Sequence, residues 1–201
     1  TMLIGLGLGP GDPELLTLRA VRLLREADAV FVPGGIAQKL VAPYREAEVL
    51  AFPMTGDEAA IRRAIGESAE KIARVAAKGV AVFALLGDPN VYSTYARLLG
   101  VIRERHPEIP CKTVPGVSSI TAFASVAGIT LSGGFSVSDG KGERGRILLK
   151  VRRPREEAER LAREGFREFV LVERMFLDGE RVYRGELPEE STYFSILYAG
   201  R

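Results

Sequence analysis

Three short loops of the sequence combine glycine with aspartate, proline or serine, and these residue types suit a small-molecule site. The loops lie at residues 9–13 (GPGDP), 87–89 (GDP) and 115–119 (PGVSS). Each loop follows an apolar run that is typical of a buried strand. Because open α/β sheets bind their ligands at the carboxyl ends of such strands, we expect these loops to form the binding site.

The first loop does not match the pattern of a dinucleotide-binding loop. That pattern, G-x-G-x-x-G, counted from Gly5 or from Gly7, puts Pro10 or Asp12 where the last glycine is needed. The next predicted strand, AVFVP, ends without the acidic residue that would bind a ribose. The GKG of residues 140–142 lacks the flanking strand and helix of a P-loop. These observations argue against a phosphate-binding site.

Two of the loops carry an aspartate beside glycine, at Asp12 and Asp88. A carboxylate would repel a pyrophosphate and favours a ligand with cationic or hydrogen-donating groups. S-adenosylmethionine is such a ligand, because it carries a sulfonium, an ammonium and hydroxyls. Aspartate is also a common helix cap, so a purely structural role for either residue stays open.

The composition excludes several classes of function. The 201 residues include 28 lysines and arginines and 26 aspartates and glutamates, and this scattered, balanced charge argues against a nucleic-acid partner. A single cysteine and a single histidine allow neither an internal disulfide nor a cluster of metal ligands. We therefore expect no metal, with His106 in a surface turn and Cys111 as a small buried apolar group.

The hydropathy of the chain indicates a soluble protein. Hydrophobic residues make up 46% of the sequence, which is enough for a core. No apolar run approaches the roughly 20 residues that span a bilayer, and no basic leader precedes Leu3. We expect a cytoplasmic protein with no membrane partner.

The first 114 residues predict a βαβ opening followed by further helices and strands. Asp12 is placed to cap the first helix, and Pro13 fits its first position. Leucine and valine side chains at helical spacing should form the buried face of that helix: Leu15, Leu18, Val21, Leu23 and Leu24. Further along, the pattern predicts a helix over 57–78, a doubly buried strand over 80–86, a helix over 92–105 and a strand over 111–114.

The second part of the chain again alternates strands with helices. Ser118 or Ser119 should begin an alanine-rich helix, and a Gly/Ser/Asp-rich stretch follows. Strands are predicted at RILLKV, FVLVER and near TYFSILYAG, with a helix at PREEAERLAREG between the first two. We therefore predict two α/β domains, residues 1–114 with the glycine-rich and GDP loops, and residues 115–201.

Three segments resemble the signature segments of the tetrapyrrole methylases, the S-adenosylmethionine methyltransferases that act on precorrins and uroporphyrinogen. They are residues 5–31, 86–95 (LGDPNVYSTY) and 114–119 (VPGVSS). Residues 52–61 (FPMTGDEAAI) and 170–185, with TYFSILYAG, resemble the branch that methylates C-20 of precorrin-2 or its cobalt-containing counterpart. The resemblance implies the α/β fold of that class, with two domains, a ligand cleft between them, and a homodimer.

The resemblance also implies roles for individual residues. The implied methyl-donor contacts in or next to the three loops are Pro10, Gly87, Asp88, Val91, Ser118 and Ser119. Those from the second domain are Arg174, Met175 and Tyr193. Tyr92 is expected to pack either against the donor or macrocycle or in the core. Asp12 is a candidate catalytic residue, because the first loop borders the substrate in the family. Its carboxylate would bind pyrrole N–H groups or the departing proton. The alternative is that Asp12 only caps a helix.

The expected chemistry is methyl transfer by placement, since an electron-rich ring carbon needs no strong base to attack a sulfonium methyl. Arginines could bind the acetate and propionate groups of the substrate or simply face solvent: Arg19, Arg22, Arg45 and Arg97. Three alternatives stay open. They are a sister methylase acting at another ring carbon, a nucleotide-binding oxidoreductase, and a non-catalytic protein that keeps the donor site.

Overall fold

A computed structural model describes residues 1–53, 56–137, 140 and 142–201. Met54 and Thr55, within the segment that resembles the C-20 branch, lie outside the described residues, as does Lys141 of the GKG stretch. The chain forms two compact units, Thr1–Ser132 and Gly133–Arg201. The first unit thus extends beyond strand Cys111–Val114, which pairs within its sheet, and includes the helix that follows.

The first unit is built on a sheet of five parallel strands in the order β3-β2-β4-β1-β5. The strands are β1 Met2–Gly7, β2 Ala29–Val32, β3 Ala47–Val49, β4 Val80–Leu85 and β5 Cys111–Val114. Strand β1 lies between β4 and β5, so the loops after these three strands leave the same edge of the sheet. This arrangement confirms the prediction that the glycine loops follow parallel strands.

Helices cover both faces of this sheet. They are α1 Leu18–Glu26, α2 Gly35–Val41, α3 Glu58–Ala76 and α4 Thr94–Arg105. A fifth helix, α5 Ser119–Ala127, follows β5 and has no buried residue. Helices α3 and α4 pack on one face around Phe83, while α1 and α2 pack on the other around Val82. The prediction that β4 is buried on both faces is therefore confirmed, and so is the long helix α3, which Asp57 caps through the amides of Ala59 and Ala60.

The start of α1 differs from the prediction. Asp12 caps a separate 3-10 helix, Pro13–Leu15, and α1 begins only after Thr17, whose Oγ1 accepts the Ala20 N–H at 3.1 Å. Leu18 then lies in the first turn of α1 and is 91% exposed, and Leu15 is exposed as well. Their assignment to the buried face was wrong, because the break at Leu16 changes the phase of the helix.

A tyrosine from α4 fills the space above Gly5 in the central strand. A Cβ at Gly5 would lie 2.6 Å from Cζ of Tyr95, so no larger residue fits there. The Tyr95 ring is fully buried, and its hydroxyl donates to the carbonyl of Lys112 at 3.3 Å. Burial raises the pKa of Tyr95 far above its usual value. This contact fixes α4, and with it the preceding loop, on β1.

The second unit contains a four-stranded sheet in the order β6-β9-β7-β8, in which every neighbouring pair is antiparallel. Its strands are β6 Gly145–Leu149, β7 Glu168–Glu173, β8 Arg181–Arg184 and β9 Ser195–Gly200. Helix α6, Pro154–Arg163, packs on one face through Leu161. The other face leaves Ile147 and Leu149 exposed.

The short elements α2, β3 and β8 were not predicted from the sequence. No helix among the described residues is long and apolar enough to cross a membrane.

Candidate active site

Glycines from three loops of the first unit meet backbone to backbone at the carboxyl edge of the sheet. A Cβ on Gly7 would lie 2.4 Å from the amide nitrogen of Gly116 and 2.6 Å from the carbonyl oxygen of Gly87. A Cβ on Gly116 would lie 2.4 Å from that same oxygen. Only glycine fits at residues 7 and 116, because the obstructing atoms are backbone atoms that no rotamer change can move.

The loops after β1 and β4 are also joined by a two-way hydrogen bond between glycines. The Gly87 N–H donates to the carbonyl of Gly9 at 2.7 Å, and the Gly9 N–H donates to that of Gly87 at 3.3 Å. Both residues have left-handed φ angles, 75° and 72°, that glycine adopts at no steric cost. A Cβ on Gly87 would meet no atom within 4 Å, so a ligand can approach the backbone there.

Asp88 joins the loop after β4 to the loop after β5. Its Oδ1 accepts the Asn90 N–H at 2.8 Å, and its Oδ2 accepts the Gly116 N–H at 3.2 Å. The Asn90 side chain adds a second link, since its Nδ2 donates to Oγ1 of Thr113 at 3.2 Å. Asp88 was predicted as a donor contact from the resemblance, and its carboxylate holds two of the site loops together.

Asp12 projects from the loop after β1 and is exposed. Its Oδ1 accepts the Glu14 N–H at 2.9 Å, so the capping role holds for the short 3-10 helix. The preceding residues Pro10 and Gly11 form the tip of the loop, and a Cβ on Gly11 would meet no atom within 4 Å. One oxygen of the carboxylate is thus used locally, beside an open stretch of backbone.

Val91 and Tyr92 end the loop after β4 and lead into α4. The Val91 N–H donates to the carbonyl of Asp88 at 3.3 Å, and Ser93 Oγ donates to the carbonyl of Pro89. Tyr92 has a φ of 47° and is 67% exposed. The alternative that Tyr92 belongs to the core is wrong, because α4 begins only at Thr94.

Ser118 and Ser119 stand at the start of α5. Ser118 is the N-cap, and its Oγ accepts the Ile120 N–H at 3.3 Å, while Ser119 is the first helical residue and is exposed. The predicted helix start is confirmed. The first-unit candidates therefore come from loops that Gly116 and Asp88 bring together at one edge of the sheet.

The candidates of the second unit lie at one edge of its own sheet. The Arg174 N–H donates to the carbonyl of Phe194 at 2.7 Å, next to Tyr193 and just before β9. Arg174 is itself in a left-handed conformation, with a φ of 50°, and its Nε donates to the carbonyl of Asp178 at 2.6 Å. Met175 follows it and is exposed. The structure thus places Arg174, Met175 and Tyr193 together.

A buried carboxylate that the sequence did not indicate supports this edge. Glu173, the last residue of β7, is only 6% exposed. Its Oε1 accepts the Ser191 hydroxyl at 2.5 Å and its Oε2 accepts the Tyr183 hydroxyl at 3.4 Å. The end of β7 is thereby tied to β8 and to the segment before β9.

Backbone strain is concentrated at these loops. Within the described ranges, the non-glycine residues with positive φ are Tyr92, Lys150, Arg174 and Phe176. All four lie in segments that follow β4, β6 or β7. Such conformations persist only where the surroundings impose them, and they cluster at functional sites.

Other predicted residues lie elsewhere. Arg45, for which a substrate contact and a solvent-facing position were both left open, donates to the carbonyls of Asp28 and Arg25. His106 ends α4 beside Glu70, with 3.2 Å between Nε2 and Oε2. Among the residues that the structure describes, no group of three histidine, cysteine or acidic side chains is arranged to hold a metal ion.

Comparison with known proteins identifies a matching family and several relatives. A family model described as tetrapyrrole (corrin/porphyrin) methylases matches residues 2–190. A probable cobalt-precorrin-2 C(20)-methyltransferase of Methanocaldococcus jannaschii is 33% identical over 136 residues, which cover 63% of this chain and 57% of that protein. A precorrin-2 C(20)-methyltransferase of a Sinorhizobium species is 35% identical over 153 residues, 67% of this chain and 61% of the relative.

The fold has counterparts among solved structures. The native form of uroporphyrin III C-methyl transferase from Thermus thermophilus aligns with 100% of this chain and 97% of its own, with a TM-score of 0.50 and 27% sequence identity. The chain spans about three fifths of the length of the two relatives named above.

Proposed function

The chain belongs to the tetrapyrrole (corrin/porphyrin) methylase family, and we therefore propose that it transfers the methyl group of S-adenosylmethionine to C-20 of precorrin-2 or of its cobalt-containing form. Two relatives whose names specify that carbon support the choice. A sister activity at another ring carbon is the second candidate, which the likeness to a uroporphyrin III methyltransferase favours.

The observation that carries the proposal is the junction of Gly7, Gly87 and Gly116. It brings the loops after β1, β4 and β5 together on backbone atoms at the ligand-binding edge of a parallel sheet. The open sides of Gly87 and Gly11 leave room for a ligand against the backbone. Amides and carbonyls there can bind the hydroxyls and the ammonium of the methyl donor.

In this proposal S-adenosylmethionine supplies the methyl group, and the chain supplies placement. Backbone groups near Gly87, with the side chains of Ser118 and Ser119, hold the donor and turn its methyl toward the macrocycle. Holding the ring carbon and the methyl about 3–3.5 Å apart contributes roughly 7–11 kcal/mol in favourable cases. Asp12, exposed beside the open loop, binds pyrrole N–H groups or takes the proton that the methylated carbon releases.

An anaerobic assay with labelled S-adenosylmethionine tests the proposal. Precorrin-2 and cobalt-factor II are offered separately, and the position of the label is determined by NMR. Label at C-20 supports the proposal, and the preferred substrate identifies the metal state. Label at another carbon moves the chain to a sister branch. Binding of S-adenosylhomocysteine without any transfer favours the non-catalytic alternative, and binding of NAD in its place favours an oxidoreductase.

We also infer that the protein acts as a homodimer in the cytoplasm. Helix α5 has no buried residue although it is largely apolar, and Phe123 and Val126 are exposed on it. A second copy would remove this apolar surface from water. Light scattering should give twice the chain mass, and Val126→Glu should give the monomer mass. A monomeric wild-type protein would contradict this inference.

A further inference from the structure

Two cations lie against one tyrosine ring just beyond the end of β6. The Nζ of Lys150 is 4.9 Å from the centroid of the Tyr193 ring, and the Cζ of Arg152 is 5.9 Å from the same centroid. The face of an aromatic ring attracts a cation. Two cations that share one ring repel each other, however, so an anion bound between them would lower the energy of the arrangement.

Backbone hydrogen bonds hold the segment that carries these side chains. The Lys150 N–H donates to the carbonyl of Ser195 at 2.8 Å, and the Ser191 N–H donates to the carbonyl of Arg152 at 2.8 Å. These two bonds join the segment that carries the cations to the segment that carries Tyr193. Lys150 has a φ of 59°, in the left-handed region that residues other than glycine rarely adopt. Such a conformation persists only where its surroundings impose it.

Neither cation is neutralised within the part of the chain that the structure describes. Other arginines of the second unit form ion pairs: Arg146 with Glu143, Arg155 with Glu189, and Arg160 with Glu157. In the described ranges no carboxylate lies within ion-pair distance of Lys150 or Arg152. The buried carboxylate at the end of β7, Glu173, accepts hydrogen bonds from the hydroxyls of Ser191 and Tyr183.

We propose that Lys150 and Arg152, supported by the Tyr193 ring, bind a carboxylate of a reactant. The inference rests on the proposed function, whose two reactants both carry carboxylates. These are the acetate and propionate chains of the tetrapyrrole and the methionine carboxylate of the donor. The planar fork of arginine binds a carboxylate through two parallel hydrogen bonds, and the lysine ammonium adds a point charge. The position lies at the same sheet edge as Arg174 and Met175, which are predicted donor contacts.

The test uses the full chain with Lys150→Gln, Arg152→Gln and the double substitution. Arg163→Gln is the matched control, since it removes an exposed cation from the other end of α6. We expect the KM of one reactant to rise about three- to tenfold for each charge removed, the range for partly exposed charged hydrogen bonds. The kcat at saturation and the thermal midpoint should match those of the control. Added NaCl should raise that KM in the wild type more than in the double variant.

The outcomes separate the two sources of the carboxylate. A rise in the KM of the tetrapyrrole alone assigns the site to the macrocycle, and a rise in the KM of S-adenosylmethionine alone assigns it to the donor. KM values equal to those of Arg163→Gln for both reactants overturn the inference.

A further readout keeps this inference distinct from the proposed function. If the wild type transfers no methyl group, the proposed function has failed, and binding of sirohydrochlorin and of S-adenosylhomocysteine is then measured by calorimetry. Weaker binding of either compound by the double variant than by the control still supports a carboxylate site. Equal binding, or no binding by the wild type, overturns it.

Discussion

The Asp88 carboxylate accepts the N–H of Gly116, with 3.2 Å between Oδ2 and the amide nitrogen, across two loops that are 28 residues apart in the chain. Gly116 cannot approach Asp88 in this way unless residues 7 and 116 both lack a Cβ. The hydrogen bond from Gly116 to Asp88 and the lack of a Cβ at residues 7 and 116 therefore act together to hold the loops of the candidate donor site in contact.

Asp88→Asn should loosen this junction. The amide oxygen can still accept the Asn90 N–H, but the amide nitrogen cannot accept from Gly116. We expect the free energy of unfolding to fall by about 1–3 kcal/mol, the usual cost of leaving a partly buried donor unpaired. Urea unfolding measures this change, and calorimetry with S-adenosylhomocysteine should show weaker binding. Glu104→Gln, at an exposed carboxylate of α4, serves as the control. Equal stability of the two variants would contradict the role given to Asp88.

Gly116→Ala should destabilise the protein more than the addition of one methyl group usually does. The new Cβ would lie 2.4 Å from the Gly87 carbonyl oxygen, so the loops must separate. We expect a loss of stability of about 1–3 kcal/mol, as for other overpacked sites, and loss of donor binding. Gly34→Ala is the matched control, because its Cβ would meet no atom within 4 Å and its φ of 173° is extended. The prediction fails if both variants unfold at the same urea concentration.

Asp12→Asn separates the capping role from the catalytic one. Asparagine caps helices about as well as aspartate, so stability should change by less than about 0.5 kcal/mol. Affinity for S-adenosylhomocysteine should also be unchanged. If Asp12 takes the departing proton, kcat should fall by about 100-fold or more. Single-turnover assays with labelled donor measure this rate, and a normal rate would exclude the catalytic role.

Cys111 should react slowly in the folded protein. Burial raises the pKa of its thiol above the ordinary value of 9.0, while nearby Arg103 lowers it to a smaller extent. Because the folded state favours the neutral thiol, this group stabilises the fold below pH 9 and loses that contribution as the pH rises through the raised pKa. At pH 8, alkylation by iodoacetamide should be slower than that of glutathione, and urea should abolish the difference. A rate that already equals that of glutathione under native conditions would refute the prediction.

Much of the first unit could be predicted because its elements carry strong local patterns. Helix α3 combines regular apolar spacing with the Asp57 cap, and β4 is a continuous apolar run between a glycine and a GDP loop. The short elements α2 and β3 have too few residues for a clear period. The error at Leu18 came from a capping residue, Thr17, that competes with Asp12 five residues earlier.

The contacts that shape the candidate site were harder to predict, because they join residues far apart in the chain. Nothing near Gly7 indicates that its neighbour is Gly116, and nothing near Gly5 indicates Tyr95. The antiparallel order of the second sheet was likewise not evident from alternating strands and helices. In the sequence, Lys150 is an ordinary lysine at the end of a predicted strand. Only its φ angle and its position against Tyr193, both seen in the structure, distinguish it from other lysines.

The placement of β1 within its sheet also has a consequence for folding. This strand is synthesised before both of its partners, which begin at Val80 and Cys111, as the pairs Met2–Val80 and Leu3–Cys111 show. Pairings between such distant residues form slowly, since a long stretch of chain must be closed before any contact stabilises it. On the ribosome, β1 must therefore wait until residue 114 has emerged before it gains both neighbours. Until then one backbone edge of β1 lacks its partner and the apolar side chains of the strand are exposed, and at this stage we expect the nascent chain to depend most on chaperones.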